Sequence, residues 1–97
     1  MSESEIEEAL APDAPRHLKL LAARELVRQE DFERVQRLTA DLLSAAPSDA
    51  DALRLGVLAA CVLGDGERAR EHASRLFPGQ RASLQKRCDE VGIGLDP

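Results

Sequence analysis

Two histidines, His17 and His72, and two cysteines, Cys61 and Cys88, are the residues of this 97-residue chain best equipped to ligate a metal or attack an electrophile. A structural zinc site closes on ligand pairs at CxxC or HxxxH separation. None of the four is so spaced, and Cys61 falls in the most apolar run of the chain, so no metal and no cofactor are expected. A nucleophilic thiolate needs a base and an electropositive setting. Cys88, beside Lys86 and Arg87, meets that condition better than Cys61, with a plain helix-face thiol as the alternative. Gly64-Asp65-Gly66 is no phosphate loop, because no strand precedes it and no Gly-Lys-Ser/Thr follows. The carboxylate pairs Glu7-Glu8 and Asp89-Glu90 lie in polar stretches, without the apolar pocket that turns a carboxyl group into an acid catalyst. The expectation is a protein that is not an enzyme.

The elements that carry these residues read as helices throughout, since no stretch alternates with period two. Ser2 and Glu5 have the spacing of a capping box, and Ile6 and Leu10 lie four apart, so residues 3–11 suit a short helix. Pro12 and Pro15 end it, and a second helix runs from about Pro15 to Arg28. Asp31 caps a third, whose Phe32, Val35, Leu38, Thr39, Leu42 and Leu43 form one apolar stripe. Ser48 and Asp51 suggest a capping box opening a fourth, nearly all apolar from Leu55 to Leu63. After the Gly-Asp-Gly turn, Ala69, Ala73, Leu76 and Phe77 mark a fifth, and Arg81 to about Val91 a sixth.

Charge divides the chain unevenly. Residues 1–15 hold five acids and no Lys or Arg, while the 13 basic residues beyond them are balanced by 13 acids, so the net charge of −5 belongs to the N-terminal segment. We therefore expect an acidic arm, residues 1–14, able to dock by Ile6 and Leu10, and one helical domain, residues 15–97. Aromatics are only 2% of the chain, which removes the stacking platforms of single-strand nucleic-acid binders, and no basic surface stands out. No nucleic acid and no membrane are expected as partners. Without CxxC spacing or a charged-then-apolar leader, the cysteines read as free thiols, and a reducing cytoplasm as the location.

Set against itself at an offset of 34 residues, the chain superposes Leu21 on Leu55, Asp31 on Asp65, Glu33 on Glu67, Arg34 on Arg68 and Leu42 on Leu76. Over residues 16–91, with Glu30-Asp31-Phe32-Glu33-Arg34-Val35 and Gly64-Asp65-Gly66-Glu67-Arg68-Ala69 as the recurring turns and Pro47 closing the first unit, the chain resembles the tetratricopeptide repeat family. The family's large early residue stands here as Lys19 and Leu53, its Gly as Ala23 and Val57, its Tyr as Leu26 and Ala60, and its later Ala as Leu42 and Leu76. The resemblance implies an all-α fold of two helix-turn-helix units plus a C-terminal capping helix, a short right-handed α-solenoid. It also implies that the first helix of each unit lines a concave groove, to which His17, Leu20, Leu21, Arg24 and Arg28 from one unit and Arg54, Leu55, Leu58 and Val62 from the other would contribute, with Leu20, Leu55, Leu58 and Val62 pointing into it and Leu84 as an extension.

An apolar groove edged by Arg suits an amphipathic or acidic helix. The expected function is a non-catalytic protein-protein interaction module, a small adaptor or chaperone for a protein or peptide partner. Self-association as a homodimer or larger homo-oligomer through the groove or the solenoid end is the alternative. A narrower one, on size, charge and repeat count, is a chaperone of the bacterial type III secretion kind.

Overall fold

A computed structural model describes residues 1–95, which form six α-helices and, among these residues, no strand. They are α1 (Glu3–Leu10), α2 (Arg16–Arg28), α3 (Phe32–Ala45), α4 (Ala50–Val62), α5 (Gly66–Ala73) and α6 (Pro78–Asp89). None is long and apolar enough to cross a membrane.

Side-chain caps set most of the helix starts. Ser2 Oγ accepts from the Glu5 amide at 3.3 Å while Glu5 Oε1 accepts from the Ser2 amide at 3.0 Å, which completes the expected capping box of α1. Asp31 and Asp65 accept from the amides of Arg34 and Arg68 and so cap α3 and α5 in the same way. The cap of α4 is Asp49, which accepts from the Ala52 amide at 3.3 Å, rather than the Ser48 and Asp51 pair that spacing suggests. Before Asp31 and Asp65 the chain turns through a left-handed residue, Glu30 at φ 60° and Gly64 at φ 78°. The amides of Asp31 and Asp65 then close back on Leu26 O and Ala60 O at 2.9 and 2.8 Å. Glycine adopts this conformation freely; a Cβ, as on Glu30, costs about 1 kcal/mol there.

Positions 34 residues apart share surroundings as well as types. Ala23 and Val57 are fully buried, as are Leu26 and Ala60, and the later pair Leu42 and Leu76 is also buried. Helix α3 packs between α2 and α4, and α4 between α3, α5 and α6. One apolar cluster, around Leu26, Phe32, Val35 and Leu38, joins α1, α2 and α3 with Ala59 of α4; the other, around Leu53, Val57 and Leu76, joins α4, α5 and α6 and takes in Leu20 of α2 and Leu42 and Leu43 of α3.

Helix α1, within the segment 1–14 expected as an acidic arm, lies on α2 and α3 with Ile6 and Ala9 at 0% exposure, while Leu10 is only partly buried. Lys19, only 3% exposed, fastens it from below. Its ammonium donates to Ala9 O at 2.7 Å and Ala11 O at 2.8 Å and pairs with Asp41 Oδ2 at 3.1 Å. Three donors meet three acceptors, which is what makes a buried lysine tolerable.

Expectations fail at three places in the C-terminal half. Helix α5 stops at Ala73, and Phe77, expected on its apolar face, is 78% exposed. Pro78 explains the latter, because it forces the residue before it out of the helical region, and Phe77 stands at ψ 152° as the residue from which α6 starts. Val91 is likewise exposed. The cysteines, expected as free thiols, form a disulfide that ties α4 to α6 across a Cα–Cα distance of 5.2 Å. Helical geometry places both on facing surfaces although 27 residues separate them, a relation no local spacing rule registers.

Candidate interaction groove

The face formed by α2, α4 and α6 carries the residues expected to meet a partner. Arg24, Arg54, Leu55, Leu58 and Leu84 line, with Asp51, a hollow of about 210 Å³. Arg24 continues into a neighbouring hollow of about 450 Å³, shared with Met1, Glu5, Leu21, Glu25 and Arg28. Arg24, Arg28, Arg54, Leu55 and Leu58 are thus brought to one surface.

Leu20 is not there. It is 5% exposed and packed in the cluster around Leu53 and Val57, and its neighbour Leu21, 53% exposed, takes the outward position. One residue is about 100° of helix rotation, enough to exchange core for surface. Val62 is half-buried against the cluster of α1, α2 and α3 and lines neither hollow.

The arginines differ in what they have left to offer. Arg28 pairs with Glu25 at 3.0 Å, and Arg54 with Asp51 at 2.6 Å, each within its own helix. Asp51 also receives Arg16, which clamps the α4 cap Asp49 at 2.7 Å. The Arg16 guanidinium holds the Asp49 carboxyl below the usual carboxylate range, against the opposing effect of burial. Arg24 has no ion-pair partner among the described residues, although Glu5 and Glu25 line the same hollow.

The chemistry considered for the cysteines is absent in this state, because Cys61 and Cys88 are bonded to one another and fully buried. Among the described residues no group of three His, Cys, Asp or Glu side chains is placed to hold a metal. His17 is exposed on α2.

Sequence reasoning missed a third hollow, of about 310 Å³, between α3 and α5. Arg68 and His72 reach it from α5, Arg75 from the turn that follows that helix, and Gln36, Thr39 and Ser44 from α3. Part of the signal was present in the spacing: Arg68 and His72 stand at i, i+4 and so share one face of α5, whereas Arg75 follows the end of that helix. No family model matches the chain, and no curated protein or solved structure is significantly similar to it.

Proposed function

We propose that the protein is a non-catalytic helical adaptor, of tetratricopeptide-like build, that holds a peptide or helix of a partner protein along the α2–α4–α6 face. The observation that carries this reading is Arg24, an arginine with no ion-pair partner among the described residues, standing where two hollows meet, beside exposed Leu21 and half-buried Leu55, Leu58 and Leu84. An apolar wall with an arginine so placed suits an amphipathic helix that sets an acid among its apolar positions. The matched burial and caps at 34-residue spacing support two repeated units, with α6 covering the second.

The compartment enters through the cysteines. A cytoplasmic location, and with it the type III secretion kind of chaperone, is the expectation for free thiols; the Cys61–Cys88 disulfide favours an oxidising setting.

Selection from a displayed library of helical peptides tests the proposal. Acidic amphipathic sequences should be enriched, and Arg24→Glu should weaken them about tenfold or more while the melting temperature stays nearly unchanged. Selected peptides that bind Arg24→Glu as well as the parent protein would remove the groove from the proposal. Light scattering over a concentration series reads the rival function: a mass that doubles with concentration, and falls back in Arg24→Glu, assigns the face to a second copy of the chain.

A further inference from the structure

The hollow between α3 and α5 has features that the proposed adaptor face does not use. Two buried polar atoms in its wall, Gln36 Nε2 and His72 Nδ1, have no hydrogen-bond partner. Buried polar groups are nearly always paired, so the Gln36 amide calls for an explanation, while His72 Nδ1 has only the ill-aligned Glu71 carboxylate 3.2 Å away. Arg68 and Arg75 stand at the same wall, and no acidic side chain lines it. Both guanidiniums keep donors in reserve. The Arg68 side chain makes only a long ion pair with Asp65, 3.6 Å, and Arg75 uses two of its nitrogens, on Glu71 and on Pro47 O.

The imidazole is held in place from behind. A Cβ at position 56 would lie 3.0 Å from His72 Cδ2 and 3.4 Å from Nε2, so the glycine on α4 makes the space the ring occupies. Thr39 lies against the same glycine position, and its hydroxyl donates to Gln36 O at 3.0 Å. Burial holds His72 below the usual histidine range; nearby Glu71 opposes that, and Arg75 and Arg68 add to it. The ring is therefore neutral near pH 7 and keeps one N–H to give. Glu71 is the rim anion, paired with Arg75 and 3.2 Å from His72 Nδ1 without the alignment of a hydrogen bond.

We propose that this hollow binds a phosphate group, free or as a small monoester, between Arg68 and Arg75, with Gln36 Nε2 and His72 as the inner donors. A phosphate near pH 7 carries about two negative charges, which match the two arginines once Glu71 gives up Arg75. The volume stands at the low end of small-molecule sites, roughly 300–1,000 Å³, which leaves room for a few carbon atoms against Ala40 and Leu43. Glu71 then acts as the competing carboxylate that the phosphate displaces.

The chain has two histidines, so imidazole resonances report the site with a built-in control. Inorganic phosphate and glycerol phosphate, each titrated against sodium chloride of equal ionic strength, should shift His72 and the Gln36 side-chain amide saturably, in roughly the millimolar range. His17 should not move. Arg68→Gln or Arg75→Gln should weaken binding about tenfold. Arg37→Gln, the same change of charge on an exposed residue outside the hollow, should leave it unchanged, and Glu71→Gln should tighten it several-fold. The last variant gains binding, so it separates the proposal from a loss caused by misfolding. Tighter glycerol phosphate assigns a monoester, and equal or tighter inorganic phosphate the free ion. A His72 shift no larger than sodium chloride produces, or equal affinity in both arginine variants and Glu71→Gln, would overturn the site.

Discussion

Helices α1 and α6 flank the same body and are fastened to it by opposite means. The shorter, α1, has 8 residues, yet Ile6 and Ala9 are wholly buried, Lys19 holds the carbonyls at its C-terminal end, and Arg34 pairs with Glu3. The longer, α6, has 12 residues and one fully buried side chain, Cys88, which is half of the disulfide. Its other attachments are half-buried Leu84 and the segment that follows, where Ile93 and Leu95 enter the core. Gln85 ties that segment back by accepting from the Leu95 amide at 3.2 Å and donating to Ile93 O at 3.3 Å. An amphipathic helix docks through its own stripe, whereas a helix that is polar all round needs something else to hold it. The comparison shows that helix length says little about anchorage.

The largest effect expected from this difference follows removal of the disulfide. Cys61 and Cys88 are 27 residues apart, and closing a loop of that length is worth about 3–4 kcal/mol. Urea unfolding of the Cys61→Ser, Cys88→Ser double variant, or of the parent under a dithiol reductant, should show that loss. Hydrogen exchange should show where it falls, with α6 amides opening while those of α1 stay protected. Equal protection of α6 with and without the bond would mean that Leu84, Ile93 and Leu95 suffice, and the contrast between the two helices would collapse.

Ile6→Ala is the matching test at the other end. A fully buried isoleucine replaced by alanine costs about 2–4 kcal/mol. Here the amides of α1 should open first and those of α6 remain closed by the disulfide. A loss under about 1 kcal/mol would shift the credit for α1 from packing to Lys19 and Arg34.

How far the sequence revealed this depends on which physical signal each part left in it. Caps and stripes are local, so Asp31, Asp65, Ser2 with Glu5, and the Phe32-to-Leu43 face were legible, as were the six helices they delimit. Burial of a lysine was not: Lys19 stands at a core position of the repeat because three acceptors converge on it, and those come from α1 and α3. The Leu20 and Leu21 exchange turned on one residue of helix rotation, which no pattern of two adjacent leucines resolves. The disulfide and the α3–α5 hollow are relations between separate helices, and only the packed chain brings Cys61 to Cys88 or His72 to Gly56.

The smallest expected effect concerns Arg34, and it tests whether α1 answers to solution conditions as α6 does not. Arg34 donates from Nε to Asp31 Oδ2 at 2.7 Å, and its outer nitrogens reach Glu3 and, at 3.6 Å, Glu7. These carboxylates are largely solvated, so salt should weaken the contacts over about 8–10 Å of screening. The Arg34 side chain, helped by its backbone amide, holds the Asp31 carboxyl below the usual carboxylate range. A carboxyl depressed in the folded chain stabilises it at pH values above the unfolded pKa, and that contribution is lost as pH falls through the folded value. Acid taken below about pH 4 should therefore loosen α1 first, since protonating Asp31 removes the carboxylate that orients the Arg34 side chain toward Glu3. The anchor of α6 is a disulfide and does not titrate. Arg34→Gln should remove most of the salt dependence of α1 exchange and flatten its acid limb, leaving α6 exchange unchanged. The same acid and salt profile in Arg34→Gln as in the parent would show that α1 is held by Ile6, Ala9 and Lys19 alone.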